Sequence, residues 1–283
     1  MILDGHIHIY ARGRNRGANR ASDFVGHLEE AGIDGGIVLS VAPPSFGSFD
    51  EPLPAGERLD DVLAVCEAGE HLYPFFWVDP METDALEQVD EAVKRGVAGF
   101  KIICNRFDPG TPKAMDVYRR IASHAKPILF HSGIFWDDQP SSQHCRPVLF
   151  EVLLKMAGLR FAMAHISWPW CDELIAVLGK FWAYRRQDPG GIAELFVDTT
   201  PGTPAVYRRE ALAKLFGVGY SAEESTVFGT DQSVNDYDGK GARGLVESDR
   251  QIYKELGLDE AAQERIFSGN LLRFLGVEAA SAS

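Results

Sequence analysis

Eight short apolar runs punctuate this sequence at intervals of 26 to 36 residues, and that spacing limits the folds open to the chain more than any other feature. The runs cover residues 2–9, 36–41, 72–78, 98–103, 127–131, 160–165, 194–198 and 226–229. Several are apolar at nearly every position, such as Gly36-Ile37-Val38-Leu39-Ser40-Val41 and Pro127-Ile128-Leu129-Phe130. Continuous runs of this kind mark strands covered on both faces, the habit of parallel sheets. Each interval has room for a loop, a helix and a return loop, which is the βα unit. Helical patterns fill the intervals at 24–31, 58–70, 84–95, 113–124, 146–157, 171–184, 204–216 and 245–256. Ser22-Asp23 can cap the first, and Gly32, Gly96, Gly158 and Gly257 stand where stops are needed. The pattern predicts an α/β fold, a single (β/α)8 TIM barrel over residues 1–277, with a disordered tail at 278–283. An open doubly wound sheet is the rival, but it calls for a GxGxxG fingerprint after the first strand, and none is there.

Composition narrows the partners. The 283 residues are ample for a core without disulfide staples. Lys and Arg number 28 against 41 Asp and Glu, a formal charge of −13, which argues against nucleic acid or an anionic membrane surface as the partner. No run approaches the length of a membrane span. Met1-Ile2-Leu3-Asp4-Gly5-His6 has no basic segment leading into an apolar stretch, so no signal peptide is expected. Cys66, Cys104, Cys145 and Cys171 lie far apart with no CxxC pair, which suits reduced thiols. The expectation is a cytoplasmic protein that handles a small-molecule substrate, with a homodimer left open.

Chemically useful residues gather at the strand ends, where a barrel carries its active site. The first run contains His6-Ile7-His8, and residues i and i+2 of a strand point the same way. Two imidazoles side by side in an apolar strand are costly unless something binds them, and a shared metal ion does so. The fourth run ends in Gly99-Phe100-Lys101, the fifth in Phe130-His131, the sixth in Ala164-His165, and the eighth leads into Gly229-Thr230-Asp231. A lone histidine at a strand end is more often a hydrogen-bonded core residue. Four histidines, a lysine and an aspartate converging on one mouth favour a metal site instead. Imidazole and carboxylate donors suit zinc first, then manganese or iron. Such an ion lowers the pKa of a water and polarises a carbonyl, Asp231 could move the proton, and a protonated His165 or Lys101 could help hold an oxyanion.

With these residues the sequence resembles the amidohydrolase superfamily, and within it the amidohydrolase-related (type 2) metal-dependent hydrolases. The resemblance rests on Asp4-Gly5-His6-Ile7-His8, Gly99-Phe100-Lys101, His131, His165 and Gly229-Thr230-Asp231. It extends to the closing stretch 264–275, where Gly269-Asn270 precedes an apolar helix. It implies His6, His8, His131 and Asp231 as ligands of a divalent ion, with Asp231 also taking a proton from the attacking water. His165 would bind a second ion or polarise the substrate. Lys101 stands where some relatives carry a carboxylated lysine between two ions. Many type 2 relatives have a histidine two residues after it, and here that position is Ile103, so one ion and two both stay open. The implied reaction is hydrolysis of an ester, lactone or amide. Some type 2 relatives are nonoxidative decarboxylases, so loss of CO2 from a small aromatic or unsaturated acid is the alternative.

Loop residues hint at the substrate. Arg12, Arg14, Arg16 and Arg20 follow the first run in a glycine-bearing loop that would act as a cationic lid recognising a carboxylate or phosphate, or simply be solvated, and Arg106 after the fourth run is a second anion candidate. Trp136, Trp168 and Trp170 suit a flat apolar ligand or packing between loops. Together they suggest a small organic acid with a ring or conjugated system.

Overall fold

The computed structural model describes residues 1–11, 18–46 and 52–277. Its nine parallel strands are β1 (Leu3–His8), β2 (Gly35–Leu39), β3 (Leu72–Trp77), β4 (Gly99–Ile102), β5 (Ile128–Phe130), β6 (Arg160–Met163), β7 (Glu194–Asp198), β8 (Thr226–Val227) and β9 (Gln232–Ser233). They lie in the order β8-β7-β6-β5-β4-β3-β2-β1-β9. The last two are the halves of one barrel strand. β8 pairs with β7, β9 pairs with β1, and between them Gly5 donates its amide to the Phe228 carbonyl and Asp231 donates its amide to the His6 carbonyl. The ring therefore closes, and the fold is the TIM-type α/β barrel that the spacing predicts. The apolar run at 226–229 becomes a broken strand because Asp231 takes a left-handed backbone, φ 59°.

The helices are α1 (Ala18–Ala31), α2 (Ala55–Cys66), α3 (Ala85–Lys94), α4 (Pro112–Ser123), α5 (Ser141–His144), α6 (Cys171–Gln187), α7 (Ala205–Gly217), α8 (Gly239–Glu255), α9 (Glu260–Glu264) and α10 (Asn270–Leu275). Several differ in extent from the sequence expectation: α2 spans Ala55–Cys66 rather than 58–70, and α8 begins at Gly239, ahead of the expected 245. α1 begins before the Ser22-Asp23 pair, because buried Ala21 continues the stripe of Phe24, Leu28 and Ala31. The α-helix expected over 146–157 is a 3-10 helix, Pro147–Leu153, whose buried residues Pro147, Phe150 and Leu153 recur every third position. That is the period of three residues per turn, so apolar spacing sets the tighter winding.

Two apolar layers hold the barrel. Outward-facing strand residues such as Val38, Phe100, Phe130 and Val197 pack with helix residues such as Val89, Val117, Leu174 and Leu212. Inward-facing Ile37, Leu39, Phe75, Leu129 and Phe196 pack instead on Leu271, Leu272, Phe274 and Leu275 of α10, which plugs the N-terminal end of the barrel. The C-terminal end is left for polar residues. A bulge in β1 sets this up: three steps from Asp4 to Ile7 face two steps from Gly36 to Val38. One extra residue reverses which face a side chain meets. Leu3 consequently joins the apolar plug, while His6 and His8 reach the mouth above it. All four cysteines are buried and unpaired. Among the described residues no helix is long and apolar enough to cross a membrane. The tail expected at 278–283 lies outside the described residues.

Candidate metal centre

The strands deliver His6, His8, Lys101, His131, His165 and Asp231 to one cavity of about 1110 Å3 at the C-terminal end of the barrel. For β4 and β5 simple alternation does this, and on β7 it turns Asp198 inward against His6. Gly99 and Lys101, Leu129 and His131, and Phe196 and Asp198 each share an inward face. His165 is different, because Ala164 before it faces inward. Alternation would send His165 out, but left-handed backbone at His165, Ile166 and Ser167 turns the imidazole back into the mouth. Gly202 permits this turn, since a Cβ there would stand 2.6 Å from the His165 Cβ. Thr200 and Thr203 anchor it, with Thr200 Oγ1 2.9 Å from His165 Nδ1 and Thr203 Oγ1 donating to the His165 carbonyl.

Asp231 is the electrostatic centre. Its Oδ1 lies 3.2 Å from His8 Nε2 and 3.6 Å from His6 Nε2, and its Oδ2 lies 3.9 Å from His165 Nδ1. Burial works against its charge, but the His8 contact and the surrounding imidazoles win, and the carboxyl is held far below the usual range. His6 and His131 are pushed the other way. Burial lowers both well below the ordinary histidine value, with Lys101 adding to it for His6 and His165 for His131. Burial likewise brings His165 down to about 4, so its imidazole is neutral near pH 7 rather than protonated. The Lys101 ammonium is lowered to about 8 by burial, and its Nζ sits 3.3 Å from His6 Nε2.

A partner absent from the sequence expectations fixes His6. Asp198 Oδ2 lies 2.7 Å from His6 Nδ1, both groups are buried, and Asp198 Oδ1 accepts the Thr200 amide at 2.7 Å. A carboxylate on Nδ1 keeps the proton there and leaves the Nε2 lone pair toward the cavity. Asp198 ends an apolar run just as His131 and His165 do, so the strand-end argument applied to residue 198 would have found it. Behind the site, buried Asp4 accepts the amides of His6 (3.0 Å) and Thr230 (2.9 Å), the Thr230 hydroxyl, and the Tyr237 hydroxyl at 2.9 Å. This joins β1 to the turn that carries Asp231.

The donor set fits a metal ion. One ligand atom each from His6, His8 and Asp231 lie within 4.8 Å of one another. His131 Nε2 nearby is fully buried with no hydrogen-bond partner among the described residues, the condition of a group that awaits a Lewis acid or a ligand. The cavity walls are aromatic around this polar floor: Phe46, Trp77 and Phe135 pack on one another. Arg106 and Trp136 stand at the rim, Trp136 77% exposed and Arg106 donating to the Ser45 carbonyl. Trp168 and Trp170 do not line the cavity. The left-handed turn that brings His165 in carries them away from it, to Tyr207 and to the Arg146 guanidinium respectively. Arg12, Arg14 and Arg16 lie outside the described residues.

Comparison with known proteins places the chain in a family. The amidohydrolase family model matches residues 3–277. The chain belongs to the amidohydrolase family. Solved structures share the fold of this chain at low identity. An amidohydrolase from Burkholderia multivorans with bound zinc matches with TM-score 0.63 and 11% identity over 98% of this chain and 100% of that one. A probable 2-pyrone-4,6-dicarboxylic acid hydrolase from Acinetobacter baumannii with citric acid bound gives 0.60 and 14%, over 97% and 99%. A 2,6-dihydroxybenzoate decarboxylase from Rhizobium gives 0.61 and 13%, over 97% and 98%. No curated protein matches this chain in sequence.

Proposed function

We propose that this protein is a metal-dependent hydrolase that cleaves a C–O or C–N bond, in an ester, lactone or amide, of a small carboxylated substrate. The observation that carries the reading is the Asp231 carboxyl set against the Nε2 atoms of His6 and His8 on the floor of one cavity, a setting that favours its charged form. His6, His8, His131 and Asp231 would hold the ion, with His165 and Lys101 available to a second. A bound divalent ion, zinc by preference and manganese or iron as alternatives, would supply an acidified water and a polarised carbonyl. Asp231 would accept the proton of the attacking water and return it to the leaving group. A Thr200 hydroxyl donating to His165 Nδ1 would leave a proton on Nε2, so neutral His165 can donate to the substrate oxygen. Arg106 at the rim suits a substrate carboxylate, joined by Arg12 if its loop reaches the mouth. Phe46, Trp77, Phe135 and Trp136 would sandwich a flat group.

Those aromatic walls also favour the second reading, nonoxidative decarboxylation of a small aromatic or unsaturated acid at the same centre. Product analysis separates the two. Metal-loaded protein is offered lactones, esters and amides of ring-bearing acids, and the parent acids, in 18O water. Hydrolysis places 18O in the product and releases no CO2, whereas decarboxylation releases CO2. On either reading Asp231→Asn should lower turnover about 10²–10⁴-fold. Unchanged turnover in that variant would remove the observation on which the proposal stands.

A further inference from the structure

At the N-terminal end of the barrel, opposite the mouth, a second cavity of about 500 Å3 opens between α6, α10 and the starts of β7 and β8. Its charged lining is Arg185, Arg186, Arg265 and Arg273 against Glu194 and Glu224. This is a local excess of positive charge in a chain whose formal charge is −13. Structural duties account for only two of the arginines. Buried Glu194 accepts from Arg185 at 3.2 Å and from Arg273. Arg185 also reaches the Pro189 and Ile192 carbonyls, and Arg273 the Glu224 carbonyl. Arg186 lies over the Trp182 ring, 4.7 Å from its centroid, and neither it nor Arg265 has a carboxylate partner among the described residues.

We propose that this cavity binds a phosphate-bearing small molecule. A phosphate matches the planar fork of a guanidinium, and several arginines around one concavity can share its charge. An anion there would offset the mutual repulsion of Arg185 and Arg273, which together with burial lowers the Arg273 pKa. The volume suits a small metabolite, and Trp182 gives an apolar wall for whatever the phosphate is attached to. No residue of this cavity lines the mouth, so the two sites can be occupied together.

Calorimetric titration of the metal-loaded protein at fixed ionic strength tests the proposal, with inorganic phosphate, pyrophosphate and a nucleoside monophosphate as probes. Saturable binding is expected in wild type and in Arg106→Gln, and at least about tenfold weaker binding in the exposed pair Arg186→Gln/Arg265→Gln. Preference for the nucleotide would identify an organic phosphate, and equal binding of pyrophosphate an inorganic one. No binding of any probe, unchanged affinity in the double variant, or loss of binding in Arg106→Gln would overturn the assignment.

Discussion

Asp198→Asn should weaken metal binding without touching a ligand atom. Asp198 bonds two groups with its two oxygens, His6 Nδ1 at 2.7 Å and the Thr200 amide at 2.7 Å. Asparagine keeps the volume but has one oxygen. If that oxygen stays with the Thr200 amide, the NH2 faces Nδ1, which must then accept, and the imidazole proton moves to Nε2, the atom a metal needs free. If the amide flips, NH2 confronts the Thr200 N–H, two donors in contact within a buried site. Either outcome also removes the carboxylate that raises the basicity of His6. Loss of such a partner costs about 10- to 100-fold in metal affinity, or about 1.4–2.7 kcal/mol. The assay is competition for zinc against a chromophoric chelator, with circular dichroism to confirm that the fold is kept. An affinity within about twofold of wild type would refute the reasoning, because His6 Nε2 could not then be a ligand oriented through Asp198.

Other perturbations probe the scaffold. Asp249→Ala leaves the Arg208 guanidinium, 5% exposed and bonded to Asp249 at 2.7 and 2.6 Å, as a buried unpaired charge; a loss of about 3–5 kcal/mol is expected in denaturant unfolding. Phe274→Ala opens a hole in the plug of α10, where Phe274 touches Phe75 and Phe196, and should cost about 3–5 kcal/mol with an unchanged denaturant slope. Asp4 is raised by burial from 3.8 to about 7 despite its hydrogen bonds. Between those values the folded state holds a proton that the unfolded state releases, so stability falls as pH rises through the window, by about 4 kcal/mol in all. Asp4→Asn keeps its oxygen for the two amides and lets the two hydroxyls turn to accept, so the difference in Tm between variant and wild type should widen from pH 4 to pH 7.

The barrel was legible because its signal is repetitive: eight apolar runs, regularly spaced, each need the same two covers. Individual elements were legible only where their period was. The segment 146–157 has helix-like composition, yet Pro147, Phe150 and Leu153 set a period of three and a 3-10 helix results. In the candidate site, residues that follow strand alternation, such as Lys101 and His131, could be placed from the sequence. Those that depend on irregular backbone were expected at the mouth as well, and they reach it by a route the sequence pattern does not show. His6 and His8 owe their inward aim to a bulge that only Gly5 hinted at, and His165 owes its aim to three successive left-handed residues. The same turn takes Trp168 and Trp170 out of the cavity, which no periodicity argument could reveal. Asp198 and Thr200 act on the histidines across 192 and 35 residues of chain, a distance over which a sequence pattern carries no pairing information.

On this reading the histidines and Asp231 exist to hold a divalent ion. Elemental analysis of protein purified without chelator or nickel affinity, compared with His8→Ala and Asp231→Asn, tests it most directly. A stoichiometric divalent ion is expected in wild type and its depletion in both variants, with a second ion accompanied by the added mass of CO2 on Lys101 if the centre is binuclear. Wild-type protein that carries no metal as purified, and takes up none when zinc, manganese or iron is added, would contradict it and return the histidines to packing.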